Sequence, residues 1–315
     1  MATKILLSGV KPTGRPHIGN YFGAMKQFVD LQDGHDCYFM LADYHALNFI
    51  QNGDEMRQLT LDLAIDYLAI GLDPKKSVIF KQSDVSAHTE LCVVFDTITP
   101  IPYLERAHAY KDAVAKNKEI NVGTFNYPIL MAADILLYDT DVVPVGQDNK
   151  QHVEYARDTA QKFNHVFKSS IFKSPKELIV ESVKTVPGND GRKMSKSYGN
   201  DLGLFASDDE IRKFVMSIVT DSSGERPENV YAIHALVRSK SELDKLYTEK
   251  KGKYKDLKEA LIADLIAFIK PMRERREKIA RDAKKVLKTL SKGADAARKA
   301  AEKKMEVVRK TIGVR

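Results

Sequence analysis

The sequence contains no tryptophan and only two cysteines among its 315 residues. Cys37 and Cys92 stand alone in apolar segments, without the spacing of a metal site or a disulfide framework. We therefore expect buried free thiols in a reducing compartment. No apolar run approaches the roughly 20 residues that a membrane-spanning helix needs, and the N-terminal residues do not follow a signal-peptide pattern. These absences predict a cytoplasmic protein that does not span a membrane.

Positive charge is concentrated at one end of the chain, whose formal net charge is +7. Residues 281–315 contain 12 Lys/Arg and 4 Asp/Glu, a net of +8, so residues 1–280 sum to about −1. The sequence leaves two explanations open. The segment is either a solvated helix face or a surface for a polyanionic partner.

Apolar runs and helical periodicity alternate through the first two thirds of the chain. Strands are predicted at 5–8, 37–42, 78–81 and 141–145, and helices at 19–31, 55–70, 89–98, 127–138 and 150–163. This alternation predicts an α/β, Rossmann-like fold with a parallel sheet, whose ligands bind beyond the carboxyl ends of the strands. Residues from about 101 to 124 interrupt the alternation and are interpreted as an insertion.

The chain changes character after Asn200, where glycine becomes scarce and only helical patterns follow. These helices are predicted at 208–218, 228–237, 241–246, 257–280 and 294–312. We therefore predict two domains, an α/β domain over residues 1–202 and an all-helical domain over residues 203–315.

Two short motifs indicate phosphate binding. Lys193-Met194-Ser195-Lys196-Ser197 places two ammonium groups on a loop between glycines, and such point charges neutralise a polyphosphate well. The segment His17-Ile18-Gly19-Asn20 follows the first strand and begins a helix, whose free N–H groups attract anions. A solvated basic loop and a helix-capping histidine are the ordinary alternatives. Both motifs together, in this order, are far more specific than either alone.

This pair of motifs resembles the HIGH and KMSKS signatures of class I aminoacyl-tRNA synthetases, which bind ATP on a Rossmann-like fold. Asn20 replaces the second histidine of the general motif, as is usual in the tryptophanyl branch. The resemblance implies that Lys11, His17, Lys193, Ser195 and Lys196 act in catalysis. It implies an ATP site formed by Lys11, Thr13, Gly19, Asn20, Lys193, Met194 and Lys196.

The predicted helix 127–138 carries a carboxylate in apolar surroundings. Tyr127, Met131 and Asp134 are spaced to share one face. A buried carboxylate is costly unless a donor satisfies it, so Asp134 is either part of a salt bridge or the floor of a ligand pocket. A flat apolar ligand with one N–H, such as indole, fits the second interpretation. A phenol would need a second polar group, and this helix offers none.

The segment Met131-Ala132-Ala133-Asp134-Ile135-Leu136-Leu137-Tyr138, with the residues from Val145 to His152, resembles bacterial tryptophanyl-tRNA synthetases throughout. The resemblance implies that Asp134 accepts the indole N–H. It implies a substrate site of Leu7, His45, Tyr127, Met131, Asp134, Val143, Val145 and Asn149, and it adds Gly146 and Asp148 to the ATP site. Lys11 and Asn149 stand where many members have Gln, and Leu7 where Phe is frequent.

The function implied by this resemblance is ATP-dependent activation of L-tryptophan and its transfer to tRNA(Trp). Mg²⁺ would accompany ATP, bound mainly through the phosphates and without dedicated protein ligands. The helical domain would read the anticodon, and a homodimer would form through the insertion near residues 85–125. The alternatives are a tyrosyl-tRNA synthetase, a small-molecule nucleotidyltransferase and a non-enzymatic RNA-binding relative.

Overall fold

The computed structural model describes residues 3–116, 119–145, 150–179, 185–220 and 226–314. Within them, five parallel strands form one sheet: β1 (Lys4–Val10), β2 (His35–Leu41), β3 (Ser77–Lys81), β4 (Val142–Val145) and β5 (Lys176–Ile179). The strand order is β3-β2-β1-β4-β5. From β1 the chain adds β2 and β3 on one side of the sheet and then β4 and β5 on the other. Ligands bind in such folds at this change of side, between β1 and β4. The predicted Rossmann-like sheet is confirmed, although β5 was not predicted.

Helices connect the strands in the first half and make up the second half. The first half contains α1 (Ile18–Asn20), a π-helical turn (Tyr21–Met25), α2 (Lys26–Leu31), α3 (Asp43–Ala46), α4 (Gly53–Ile70), α5 (Ala87–Asp96), α6 (Ile101–Leu104), α7 (His108–Ala115), α8 (Val122–Leu136) and α9 (Lys150–Val166). The second half contains α10 (Asp208–Met216), α11 (Glu228–His234), α12 (Lys240–Glu249), α13 (Tyr254–Ala280) and α14 (Ala283–Ile312). The final helix begins earlier than predicted. No helix among the described residues is long and apolar enough to cross a membrane.

The two faces of the sheet form two hydrophobic cores. Successive strand residues point to opposite faces, so neighbours in the sequence enter different cores. Leu6, Phe39, Ile79 and Val142 belong to the first core, and Leu7, Met40, Phe80 and Val143 to the second. Both cysteines are buried and free, as predicted.

The helical half packs into both of these cores. Residues of α10, α11 and α13, such as Ile211, Ile233 and Leu265, lie in the first core. Helix α14 contributes Leu290 to the first core and Met305 to the second. It therefore crosses the free edge of β3. The described helices beyond residue 202 thus share the cores of the sheet. The predicted division into two domains at residue 202 stays a prediction.

Ion pairs also join the two halves. Arg276 on α13 donates to Asp62 (2.7 Å) and to the fully buried Asp66 (2.6 Å) on α4. Arg309 on α14 donates to Glu90 on α5, with Nε 2.7 Å from Oε1. Part of the basic character of α14 is thus used to hold it against the α/β half.

Gly293 is the residue at which α14 crosses the sheet edge. A Cβ atom there would overlap the main-chain carbonyl oxygen of Ile79 on β3. Because backbone cannot yield as a side chain can, we expect Gly293→Ala to destabilise the fold by about 2 to 3 kcal/mol. The melting temperature of the purified protein would measure this loss.

Gly23 provides the matched control, since it also lies in a helical segment but has no atom within 4 Å of an added Cβ. Gly23→Ala should leave the melting temperature unchanged or raise it slightly. Equal melting temperatures for the two variants would contradict the proposed crossing contact.

Candidate active site

His17 begins the first helix after β1 and caps it. Its Nδ1 accepts a hydrogen bond from the Asn20 N–H (3.2 Å), and the Asn20 side-chain oxygen accepts one from the His17 N–H (3.0 Å). This reciprocal cap fixes the His17 ring and the Asn20 side-chain amide. Burial lowers the pKa of His17, nearby Lys196 lowers it further, and Asp201 opposes them. With Nδ1 accepting, the neutral ring carries its proton on Nε2, which remains a donor for a ligand.

The loop of residues 193–197, here called the lysine loop, lies directly against this first motif. A Cβ on Gly14 would be 3.0 Å from the Nζ of Lys196, and one on Gly19 would be 3.5 Å from the Cβ of Met194. Gly14 has a φ of 114°, which only glycine adopts without strain. Met194 is buried in the first core, while Lys193 and Lys196 remain exposed. The structure therefore brings the two predicted phosphate-binding motifs together.

Backbone pairing joins the two motifs. The Ile18 N–H donates to the Leu202 carbonyl and the Leu204 N–H to the Pro16 carbonyl, both at 2.9 Å. His17 and Gly203 form an antiparallel bridge between these bonds. The segment that leads into the helical half is consequently fixed to the start of α1.

Asn200 organises the lysine loop, and sequence reasoning missed it. Its side-chain oxygen accepts from the Ser195 N–H (2.8 Å), and its amide donates to Asp190 (2.7 Å) and to the Lys193 carbonyl (3.3 Å). The residue is 2% exposed. Its position directly after Gly199, where the loop turns through a left-handed conformation, was the available signal.

Two lysines of the site lie where protein partly replaces solvent. Burial lowers the pKa of Lys196, although the charges of Asp201 and Asp66 oppose this effect. Desolvation also lowers the pKa of Lys11, whose Nζ lies 4.6 Å from the centre of the Phe49 ring. Both side chains are nevertheless exposed, so their partly desolvated ammonium groups remain accessible to an anionic ligand.

Asp134 lies 1% exposed on α8 and is satisfied by donors from three other elements. Gln82 donates to both carboxylate oxygens (2.8 and 3.0 Å), and His45 Nε2 lies 2.9 Å from Oδ2. His88 Nδ1 is 2.6 Å from Oδ1. Burial alone would raise the pKa of Asp134, but the two histidines outweigh it and the pKa is lowered. Asp134 is therefore ionised in a buried site.

The Asp134 carboxylate has polar partners, although none of them lies on α8. Gln82 follows β3, His45 follows β2 and His88 lies on α5. The argument that a lone carboxylate excludes a phenol is consequently wrong, since it considered one helix in isolation. Of these three residues, sequence reasoning found only His45. The place of Gln82, directly after a predicted strand, was a signal for the second.

The other predicted substrate residues lie in the second core or contact His45. Leu7, Val143 and Val145 are buried in the second core, and the half-buried Met131 packs against it. Tyr127 contacts the His45 ring (centroids 6.4 Å apart) and the His152 ring (6.0 Å). Their arrangement around a bound substrate stays a prediction.

The described residues leave part of the predicted site untouched. Gly146, Asp148 and Asn149 lie outside them, so their predicted contacts stay predictions. Thr13 is exposed in a tight turn, in which its N–H donates to the Lys11 carbonyl (2.8 Å). The charge of Lys11 in turn acts on His152, whose pKa is lowered first by burial and then by Lys11. Lys11 is therefore near His152, whose ring contacts Tyr127.

A Rossmann-like sheet on which two glycine-containing loops with exposed lysines are joined, near the change in strand order, is the arrangement of a nucleotide-dependent enzyme. Residues 2–302 match the family model described as tRNA synthetases class I (W and Y). The chain belongs to this family of class I tRNA synthetases, in whose description W and Y stand for tryptophan and tyrosine.

Individual relatives agree with this assignment. The tryptophan–tRNA ligase of Fusobacterium nucleatum is 44% identical, with 98% of this chain and 97% of that protein aligned. The crystal structure of tryptophanyl-tRNA synthetase from Campylobacter jejuni, complexed with ADP and tryptophan, is 41% identical. It has a TM-score of 0.90 and covers 98% of this chain and 99% of its own. The tyrosyl-tRNA synthetase of Archaeoglobus fulgidus, 21% identical with a TM-score of 0.69, covers 87% of this chain and 90% of its own and shares the fold.

We expect Asn200→Ala to lower the turnover of the activation step by about 10- to 100-fold, because small displacements of catalytic groups are this costly. Removal of the amide frees the Ser195 N–H and the Lys193 carbonyl, so both lysines lose their fixed positions. Steady-state kinetics should show a lower kcat with little change in the KM for the amino acid.

Asn189→Ala is the matched control, since Asn189 lies on the neighbouring turn and its side chain bonds only Ser217 (2.9 Å) among the described residues. It should retain most of the activity. A kcat equal to that of the unmodified enzyme in Asn200→Ala would disprove the role of Asn200.

Proposed function

We propose that the protein activates L-tryptophan with ATP and transfers it to tRNA(Trp) in the cytoplasm. The observation that carries this proposal is the buried, ionised Asp134 beside the joined phosphate-binding loops. The relatives support the choice of tryptophan over tyrosine, since the ligase that is 44% identical is named for tryptophan. This choice rests on the relatives because the polar groups around Asp134 would also suit a phenol.

The pocket would recognise the indole ring through one directional bond and apolar contact. Asp134 would accept the indole N–H, while Met131, Leu7, Val143 and Val145 would pack on the ring. Phenylalanine would fill the same space without satisfying the buried carboxylate, and such mismatches are strongly rejected. Tyr127, with Asn149, would contact the ammonium group of the substrate.

The phosphate-binding loops would then promote adenylate formation. A carboxylate oxygen of tryptophan attacks the α-phosphorus of ATP, the bond from that phosphorus to the bridging oxygen breaks, and pyrophosphate leaves. Lys193 and Lys196 would neutralise the pyrophosphate with Ser195 and Met194 shaping the loop, and Lys11 would act from the other side. His17, Gly19, Asn20 and Thr13 would hold the triphosphate, and Gly146 and Asp148 the ribose. A ribose hydroxyl of the tRNA 3′ end next attacks the acyl carbon and releases AMP.

Mg²⁺ would reach the site with ATP. Among the described residues, no group of three or more His, Cys, Asp or Glu side chains could hold a metal ion. The cation would therefore bind mainly through phosphate oxygens and add to the charge neutralisation by the lysines.

The helical half would bind the anticodon end of the tRNA. Helix α14 carries an exposed row of lysines outside the ion pairs that hold it to the sheet. They are Lys284, Lys288, Lys292, Lys299 and Lys303. Such a row attracts phosphate groups, so the charging of tRNA should weaken as salt concentration rises.

Amino-acid-dependent exchange of pyrophosphate into ATP tests the reaction and the substrate together. Tryptophan should support exchange, whereas tyrosine and phenylalanine should be poorer by at least about 10⁴-fold in kcat/KM. Exchange with tyrosine alone would favour the tyrosyl alternative. Failure to charge tRNA despite exchange would favour a small-molecule nucleotidyltransferase.

Lys196→Ala tests the role of the lysine loop in the same assay. We expect a loss of about 100- to 1,000-fold in exchange, because one charge that stabilises the leaving group is removed. Lys75→Ala, which changes an exposed lysine before β3, is the control and should remain active. Full activity of Lys196→Ala in a folded protein would refute this role.

We also propose that the chain forms a homodimer through residues 85–125. Exposed apolar side chains support this surface: Val93 on α5 is 63% exposed, Ile101 on α6 64%, and Val122 at the start of α8 79%. Helices α5 and α6 both pack against α8, so these residues lie on adjoining elements. Apolar side chains grouped in this way mark an interaction surface.

Sedimentation velocity tests the dimer directly. Val93→Glu combined with Ile101→Glu should convert a dimer into a monomer, because buried unpaired carboxylates at an interface cost several kcal/mol. Val307→Glu, at a similarly exposed site on α14, should leave the dimer intact. A dimer that survives the double substitution, or a monomer in the unmodified protein, would exclude this interface.

A further inference from the structure

His88 is a fully buried histidine that the proposed reaction does not yet use. It lies on α5, away from the pocket side of Asp134, and is 0% exposed. His45, in contrast, retains some exposure and contacts Tyr127 in the pocket wall. His88 therefore approaches the carboxylate from behind, while His45 stands between the carboxylate and the pocket.

A short polar chain links His88 to a tyrosine on its other side. The His88 Nδ1 is 2.6 Å from Asp134 Oδ1, and its Nε2 is 2.8 Å from the Tyr138 hydroxyl. A proton on Nδ1 is favourable opposite a carboxylate, and in the neutral ring Nε2 then accepts from the Tyr138 O–H. Among the described atoms, Nδ1 has no aligned hydrogen bond, because its N–H does not point straight at Oδ1. A small rotation of the carboxylate would complete that bond.

The acceptor capacity of Asp134 explains why this rotation matters. A carboxylate has about four lone-pair positions, and Gln82, His45 and His88 together already approach both oxygens. An arriving indole N–H must replace one of these contacts. The contact on the pocket side, from His45, is the one a ligand can reach. The contacts behind must then hold the carboxylate alone.

We propose that His88, with its tautomer fixed by Tyr138, is a positioning residue that holds the Asp134 carboxylate for the indole N–H. This inference rests on the proposed tryptophan specificity, and it assigns a role to residues outside the substrate pocket. His88 takes part without touching the substrate. Tyr138 acts through its hydrogen bond with His88.

The surroundings of Asp134 predict how pH enters. Besides His45 and His88, Tyr138 and Cys92 are the titratable groups that face it, and burial raises the pKa of both. Burial also favours the neutral carboxyl of Asp134, and the histidines oppose it. Without His88 the pKa of Asp134 rises. Because a protonated carboxyl is the poorer acceptor, tryptophan affinity should then fall as pH is lowered and recover as pH is raised.

A pair of substitutions separates positioning from packing. His88→Asn places an amide N–H near the position of Nδ1 and keeps the donor, whereas His88→Leu fills similar space without one. The chain lacks tryptophan, so the fluorescence of the bound amino acid reports the Kd without interference. At neutral pH we expect the Kd to rise about 30-fold in His88→Leu and within about 3-fold in His88→Asn.

The pH profile gives the second readout. As pH is lowered toward the acid limit of folding, the Kd of His88→Leu should begin to worsen at a higher pH than that of the unmodified protein or of His88→Asn. Tyr138→Phe should weaken binding by about 3- to 10-fold at all pH values, because His88 loses its acceptor role and its fixed tautomer. The kcat of pyrophosphate exchange at saturating tryptophan should change little in each variant.

His234 supplies a matched control in the helical half. Its Nε2 is 2.7 Å from Asp264 and its Nδ1 is 3.2 Å from the Tyr247 hydroxyl, so the same three residue types meet there. His234→Leu should lower the melting temperature and leave the Kd and its pH profile unchanged. If His88→Leu does not fold, His88→Met, which also lacks an N–H donor, takes its place.

The outcomes distinguish this inference from the proposed function. Absence of tryptophan binding by the unmodified protein would overturn the proposed function itself. If the unmodified protein binds tryptophan, equal affinities in His88→Leu and His88→Asn would overturn only the role of His88. An identical pH dependence of the Kd in His88→Leu and in the unmodified protein would overturn it as well.

Discussion

The backbone pairing of residues 16–18 with residues 202–204 is the interaction on which the rest of the active site depends. It joins the start of α1 to the segment that follows the lysine loop. Met194 anchors the loop because it is buried in the first core, and Asn200 anchors it through a hydrogen bond with the Ser195 N–H. Because the loop is fixed at both points, Lys196 lies against Gly14 and the capped His17. Phosphate binding thus results from tertiary packing as much as from the lysines themselves.

The second constraint is the cost of burying the Asp134 carboxylate. An isolated charge in such a position would be protonated, but polar side chains from α3, the turn after β3 and α5 surround it and keep it ionised. Helix α14 reaches this network indirectly. Arg298 donates to the Asp84 carbonyl (2.9 Å) at the end of the turn that carries Gln82. The helical half therefore supports the turn whose Gln82 donates to Asp134.

The helical half is accordingly part of the architecture of the sheet. Helix α14 covers the edge of β3, which would otherwise offer unpaired backbone groups. It crosses at Gly293, where no side chain fits. Arg276 on α13 ties α4 to the same half, and the charge of Asp66 acts in turn on Lys196. Asp66 on α4 is therefore linked both to α13, through an ion pair, and to Lys196, through its charge.

The sequence by itself determined the alternation of strands and helices, the all-helical second half and both phosphate-binding motifs, since periodicity and short motifs are local properties. It missed β5, whose Lys176 and Glu177 disguise an edge strand that pairs only with β4 among the described residues. Gln82 is marked only by its place after a predicted strand, and His88 carries no local mark of function. They meet Asp134 only because parallel strands end at a common edge and α5 packs against α8. The carboxylate could be read from the sequence, but its partners were decided by the tertiary structure, because contacts between distant segments follow from packing.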